Sequence, residues 1–129
     1  MKKIIATAMV SSALFFGGNL YAESASLTNK NIQGSWILEY TKHSEASVET
    51  VKREDIWVFD NNKVAIKHIP REGEYYDQPP VNFKIENDKL KVSLLGRAGK
   101  FDSFTVINKE EKIMTLKARF GAIYQFVKK

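Results

Sequence analysis

Residues 34–41 read Gly34-Ser35-Trp36-Ile37-Leu38-Glu39-Tyr40-Thr41, with Trp36, Leu38 and Tyr40 on one parity and Ser35, Ile37, Glu39 and Thr41 on the other. A period of two with one aromatic and aliphatic face marks a strand buried on one side. Before it, residues 23–33 are polar except for Leu27 and Ile32, which suits an N-terminal arm with one helical turn closing an end of a domain. After it, the same rhythm runs to the end of the chain.

Asp55–Phe59 and Lys63–Ile69 flank Asp60-Asn61-Asn62, residues that tolerate the left-handed backbone of a hairpin turn. Val81–Glu86, Leu90–Leu95, Lys100–Ile107, Lys112–Arg119 and Ala122–Lys128 follow, joined by Asn87-Asp88-Lys89, Gly96-Arg97-Ala98-Gly99, Asn108–Glu111 and Phe120-Gly121. Connections this short join antiparallel neighbours and leave no room for crossover helices. Two segments lack the rhythm. Thr41–Arg53 is expected as a long loop with a helical turn over 45–51, and Pro70–Pro80, which holds all three prolines, as a second loop with a short pairing at Tyr75-Tyr76. The whole predicts an all-β fold: an antiparallel up-and-down barrel of eight strands over residues 34–129, a single domain whose closure removes exposed edges.

Met1-Lys2-Lys3, the apolar run Ile4–Phe16 and Ala22 before Glu23 have the layout of a signal peptide, residues 1–22, cleaved after Ala22. The run is broken by Ser11, Ser12, Gly17 and Gly18 and falls short of the ~20 apolar residues of a membrane span, so no integral membrane anchor is expected. The short basic start suits a bacterial exporter, which places the mature protein in the periplasm or outside the cell. There is no cysteine, so no disulfide framework is available and stability has to come from a packed core.

The chain has 20 Lys+Arg against 15 Asp+Glu; loss of Lys2 and Lys3 with the signal leaves 18 against 15. These charges interleave, as in Lys52-Arg53-Glu54-Asp55 and Lys109-Glu110-Glu111-Lys112, and form no basic stripe for nucleic acid. His43 and His68 belong to no metal-ligand spacing, Ser44 beside His43 is adjacency without geometry, and no Gly-x-Ser-x-Gly elbow occurs. Neither a metal nor a cofactor is expected, and no residue is assigned a catalytic role. Gly96-Arg97-Ala98-Gly99 reads as a hairpin turn before an anion cradle, since it lacks the strand-to-helix setting of a phosphate loop.

Following the alternation inward selects Leu38, Tyr40, Trp57, Phe59, Phe83, Leu94, Leu116, Tyr124 and Phe126 as candidate ligand contacts. An eight-stranded interior is either filled by side chains or leaves room for one small ligand, and both readings stand. Glu72, Glu74 and Asp77 surround Tyr75 and Tyr76, so Tyr75, Tyr76 and Asp77 form either a loop for a protein partner or a cover over the barrel mouth.

Residues 27–129 resemble bacterial lipocalin-like domains of the calycin type, through Gly34-Ser35-Trp36, the turn at Asn61-Asn62, Met114-Thr115-Leu116 and the closing Tyr124-Gln125-Phe126-Val127-Lys128. The resemblance implies a barrel that binds a small hydrophobic or amphipathic ligand without catalysis, some members having enzymatic or protein-inhibiting roles. An inhibitor of an exported hydrolase, or a toxin immunity protein working through its loops, is the alternative. Family members often set a terminal-strand Arg against the first-strand Trp. Here Lys128 or Lys129 stands at that position, and Gly34, Trp36 and Lys128 are the expected barrel-end set.

Overall fold

A computed structural model of the chain describes residues 26–129; the expected signal peptide lies outside the described residues. Chain order gives α1 (Asn29–Ile32), β1 (Gly34–Lys42), β2 (Val51–Lys52), β3 (Ile56–Asp60), β4 (Lys63–Arg71), β5 (Glu74–Glu86), β6 (Lys89–Ser93), β7 (Phe101–Lys109), β8 (Ile113–Ala118) and β9 (Ile123–Lys128). Every neighbouring pair is antiparallel, and β9 returns to pair with β1, so eight strands close into a barrel with the two-residue β2 attached outside that count. Among the described residues no helix is long and apolar enough to cross a membrane.

The turns explain the register. Glu86 pairs with Lys89 across Asn87 (φ 48°) and Asp88 (φ 61°), two left-handed residues whose twist matches that of the flanking strands. Asp60 pairs with Lys63 across Asn61-Asn62, with Asn61 left-handed at φ 57°. That turn also anchors the arm: Gln33 accepts from the Asn61 N–H at 2.7 Å and donates to the Asn61 carbonyl at 3.0 Å. In α1, Thr28 and Asn31 form a reciprocal capping box, at 3.0 and 2.8 Å, which stabilises a helix of one turn.

The α1 end of the barrel is filled. Ile32, Trp36, Leu38, Phe59, Val64, Leu90, Met114, Leu116 and Phe126 are each under 2 % exposed or close to it, and Leu27 and Ile32 supply the stopper. Trp57 is the hub of an aromatic cluster, edge-on to Phe126 (5.0 Å between centroids), Phe104 (5.8 Å) and Tyr124 (6.3 Å). Such pairs each contribute about 0.5–1.5 kcal/mol beyond their buried area.

Trp36 is clamped at this end. Its indole Nε1 donates to the Ile32 carbonyl at 2.7 Å, Lys128 Nζ lies 4.7 Å from the ring centroid, and Lys109 Nζ lies 5.2 Å from it. Lys128 also donates to the Gln33 carbonyl. Room for that lysine comes from Gly34: its φ is +109°, and a Cβ there would sit 2.9 Å from Lys128 Nζ. Lys109 was not part of the expected barrel-end set; it is 3 % exposed and donates to the Glu110 carbonyl.

Two expected loops are organised otherwise. Pro70–Pro80 continues as a hairpin, with Pro70 opposite Tyr75 and Ile69 opposite Tyr76. It tolerates proline because the register shifts between Val64–Val81 and Ile66–Gln78, leaving Pro79 and Pro80 in a bulge where no ladder donor is needed. His68, left-handed at φ 57°, marks the second irregularity, and its N–H is taken by the Asp77 carboxylate at 3.0 Å. In Thr41–Arg53 the helical turn over 45–51 is absent; Val51 and Lys52 pair instead with Thr41 and Tyr40, satisfying their backbone against β1.

Gly34→Ala combines a disfavoured φ with a clash against the lysine clamp, so it should lower the unfolding free energy by about 1–3 kcal/mol in urea titration. Burial, and then the charge of Lys128, hold the Lys109 ammonium below the ordinary lysine value of 10.5, with Glu111 opposing. The unfolded chain therefore keeps that proton more readily, and the penalty in the folded state is relieved as pH climbs towards the unfolded value. Lys109→Met should remove this term, so that as pH rises towards the ordinary lysine value the parent gains stability relative to the variant in parallel thermal melts.

Candidate functional site

Above the filled half, at the end opposite α1, the barrel holds a cavity of about 250 Å³. Leu38, Trp57, Ile66, Val92, Leu94, Phe104 and Tyr124 form its apolar walls, and Tyr76 and Leu95 stand at its rim. Its polar surface comes from Arg53, Asp55, Gln78, Ser93 and Asp102. A larger groove of about 740 Å³ lies on the outer wall under Pro79 and Pro80, but Asp60, Lys63, Lys67 and Asp77 line it as solvated charges. It has no aromatic wall, whereas the rings of Trp57, Phe104 and Tyr124 face the mouth cavity inside the barrel, which is the candidate site.

The charged element is a fork. Arg53 Nε and Nη2 donate to Asp55 Oδ1 and Oδ2 at 3.0 and 2.9 Å, while the Asp55 side chain is only 6 % exposed and that of Arg53 is 32 % exposed. A nearly buried carboxylate needs this bidentate partner. The pair is delivered by the backbone: Leu38 N–H donates to the Asp55 carbonyl at 2.8 Å and Arg53 N–H to the Glu39 carbonyl at 3.0 Å. Two of the five guanidinium donors are thereby engaged with Asp55. Burial above all raises the Tyr124 phenol, with Asp102 and Asp55 adding to the rise and Arg53 opposing it. Its hydroxyl consequently stays neutral, a donor and acceptor at the cavity wall.

Of the residues expected to touch a ligand, the structure brings Leu38, Trp57, Leu94 and Tyr124 together around the cavity. Phe59, Phe83, Leu116 and Phe126 belong to the packed core and do not line it. Tyr40 departs from the inward expectation. A bulge makes Phe126 oppose Leu38 and Gln125 oppose Tyr40, which reverses the parity of β1 and sets Tyr40 beside Thr115, Ile123 and Gln125 on the outer wall. In the hairpin, Tyr76 reaches the cavity rim, whereas Tyr75 stacks on His68 (3.7 Å, 9°) and donates to Glu54 at 3.0 Å. Asp77 is occupied by the His68 N–H. Gly96–Gly99 is a turn whose Arg97 and Lys100 N–H groups donate to the carbonyls of Leu94 and Arg97.

Sequence reasoning missed Arg53, Asp55 and Asp102. For the first two a signal existed: counting back by twos from Phe59 and Trp57 reaches Asp55 and Arg53 on the same inward parity. Phe104 was missed as well, because β7 was not carried into the inward set. Among the described residues no group of three or more His, Cys, Asp or Glu side chains is placed to hold a metal ion.

No family model and no curated protein sequence matches the chain. Solved structures do. An uncharacterised protein from Bacteroides eggerthii aligns with a TM-score of 0.59 at 17 % identity, over 75 % of this chain and 98 % of that one. A lipocalin-like protein from Bacteroides uniformis aligns with a TM-score of 0.61 at 14 % identity, over 77 % of this chain and 99 % of that one. With the closed antiparallel barrel, these likenesses make the fold lipocalin-like.

Asp55→Leu strands the Arg53 guanidinium at the cavity wall, yet that side chain is partly in water. The expected cost is therefore about 1–3 kcal/mol, below the loss for a wholly buried pair, and the double variant Arg53→Met/Asp55→Leu should recover part of it in urea denaturation.

Proposed function

We propose that this protein is an exported, non-catalytic lipocalin-like binder of a small amphipathic ligand seated at the barrel mouth. The observation that carries the reading is an aromatic-walled cavity of about 250 Å³ with a partly exposed Arg53 forked onto the nearly buried Asp55 carboxylate in its wall. Its size sets the ligand class. Drug-sized sites run to about 300–1,000 Å³, and below Leu38 the barrel is packed with Phe59, Met114, Leu116 and Phe126, so a long acyl chain has no channel to enter.

The polar groups refine the class further. Arg53 offers donors, but Asp55 and Asp102 line the same cavity and disfavour a full anion. A compact, neutral, ring-bearing molecule with a carbonyl or hydroxyl oxygen matches: its apolar part against Trp57, Phe104 and Tyr124, its oxygen towards Arg53 or the Tyr124 phenol.

Titrating the mature chain with small aromatic alcohols and ketones should shift the indole N–H resonance of Trp57 while leaving that of Trp36 in place. Leu94→Trp, which fills the cavity, should abolish the shift. If no probe moves Trp57, and native mass spectrometry of periplasmic protein shows one unliganded mass, the reading fails. Recovery of a mature chain beginning at Glu23 from the periplasm or medium tests the export half independently.

A further inference from the structure

The two ends of the barrel differ in what they show to solvent. At the α1 end the turns are Asp60–Lys63, Glu86–Lys89 and Lys109–Ile113, and none of their large hydrophobic side chains is exposed among the described residues. At the mouth end, each connection between barrel strands carries or adjoins at least one: Val48 and Val51 between β1 and β3, Tyr75 and Tyr76 between β4 and β5, Leu95 and Phe101 between β6 and β7, and Phe120 between β8 and β9.

Charge divides this rim. The β4–β5 hairpin carries Glu72, Glu74 and Asp77 against Arg71, and the β1–β3 connection mixes Glu45, Glu49 and Glu54 with Lys52 and Arg53. Residues 94–100 (Leu-Leu-Gly-Arg-Ala-Gly-Lys), in the next connection round the ring, and 118–122 (Ala-Arg-Phe-Gly-Ala), across the barrel, contain Arg97, Lys100 and Arg119 and no acid. The strand order β9-β8-β7-β6-β5-β4 makes these two loops near neighbours and places the β8–β9 turn far round the ring from the acidic hairpin. Their apolar side chains are prominent: Phe120 is 89 % exposed and Leu95 51 % exposed, and Arg119 lies over the Phe120 ring at 5.1 Å.

We infer that this half of the rim docks on a membrane surface rich in anionic phospholipid. Protein hot spots are packed, fully desolvated clusters. Here single apolar side chains stand at the tips of separate turns beside guanidinium and ammonium groups, which suits shallow insertion among headgroups while the cations meet lipid phosphate. The acidic hairpin, on the far side of the mouth, tilts away from the same surface. Docked this way, the cavity entrance faces the membrane interface, where small amphipathic molecules partition. The docking itself stands on the loop tips and not on the identity of any cavity ligand.

Flotation of the mature chain with vesicles of phosphatidylcholine alone, and of phosphatidylcholine mixed with phosphatidylglycerol, tests it. Binding is expected only to the mixed vesicles and should weaken as salt is raised. Phe120→Ser should weaken it about tenfold or more, since one exposed aromatic ring is withdrawn from the interface. Arg97→Glu and Arg119→Glu should each cost about tenfold. Ile107→Ser, on the outer wall, should change nothing. Probe binding at Trp57 should survive all four substitutions, so loss of the docking and loss of the cavity reading are separable. Failure of the parent chain to float with anionic vesicles at low salt overturns the inference, as does binding indifferent to Phe120 and Arg119. Capture of a protein through the same residues without vesicle binding would assign the rim to a protein partner instead.

Discussion

The seam between β9 and β1 is the constraint on which the other parts rest. Until the last strand returns to the first, both present unpaired backbone, and the barrel interior has a missing wall. Trp36 lies on this seam: in register it is flanked by Lys128 of β9 on one side and by Trp57 of β3 on the other. Its ring fills the closed end, its N–H ties α1 to the sheet, and its faces hold Lys128 and Lys109. One residue thereby couples the arm, the first strand and the last. That role also explains why a glycine precedes it by two, since only an absent Cβ leaves space for the Lys128 ammonium.

The same seam contains the irregularity that creates the site. Beyond Leu38, β1 bulges, and one extra residue separates its pairing with Phe126 from its pairing with Gln125. Towards α1 from that point β1 pairs with β3; beyond it, with β2. The stretch between β2 and β3 is drawn across the change of partner by Leu38 and Glu39, and it brings Arg53 and Asp55 to the cavity wall. A regular β1 would have pointed Tyr40 inward. The bulge exchanges a phenol for an ion pair.

This is also where the sequence ceased to be legible. The hairpin rhythm, the turn residues and the inward parity of Trp36, Leu38, Trp57, Tyr124 and Phe126 are local properties, and a strand's neighbours reproduce them. The bulge is not local. Nothing in Leu38-Glu39-Tyr40 announces an extra residue, because the disturbance depends on how β1 pairs with β9 along one edge and with β3 and then β2 along the other. Pro79 and Pro80 show the converse case: they read as loop because proline lacks a ladder donor, yet a register shift placed them where none was required. Whether the interior was hollow or filled also lay beyond pattern, since it depends on summed side-chain volume and not on parity.

Both alternatives hold, at different depths. The α1 half is packed because the capped arm inserts Leu27 and Ile32 against the aromatic and aliphatic core around Trp36. Towards the mouth the inward positions change character: Arg53, Asp55, Gln78 and Asp102 take over from phenyl and aliphatic groups, and a partly solvated charge pair cannot be packed over with hydrocarbon at low cost. Part of the Arg53 guanidinium stays in water beside the nearly buried Asp55 carboxylate. Space at the mouth therefore follows from the ion pair itself. The filled half holds the rings of Trp57 and Phe126 in place, and a rigid floor lets so small a cavity discriminate by shape.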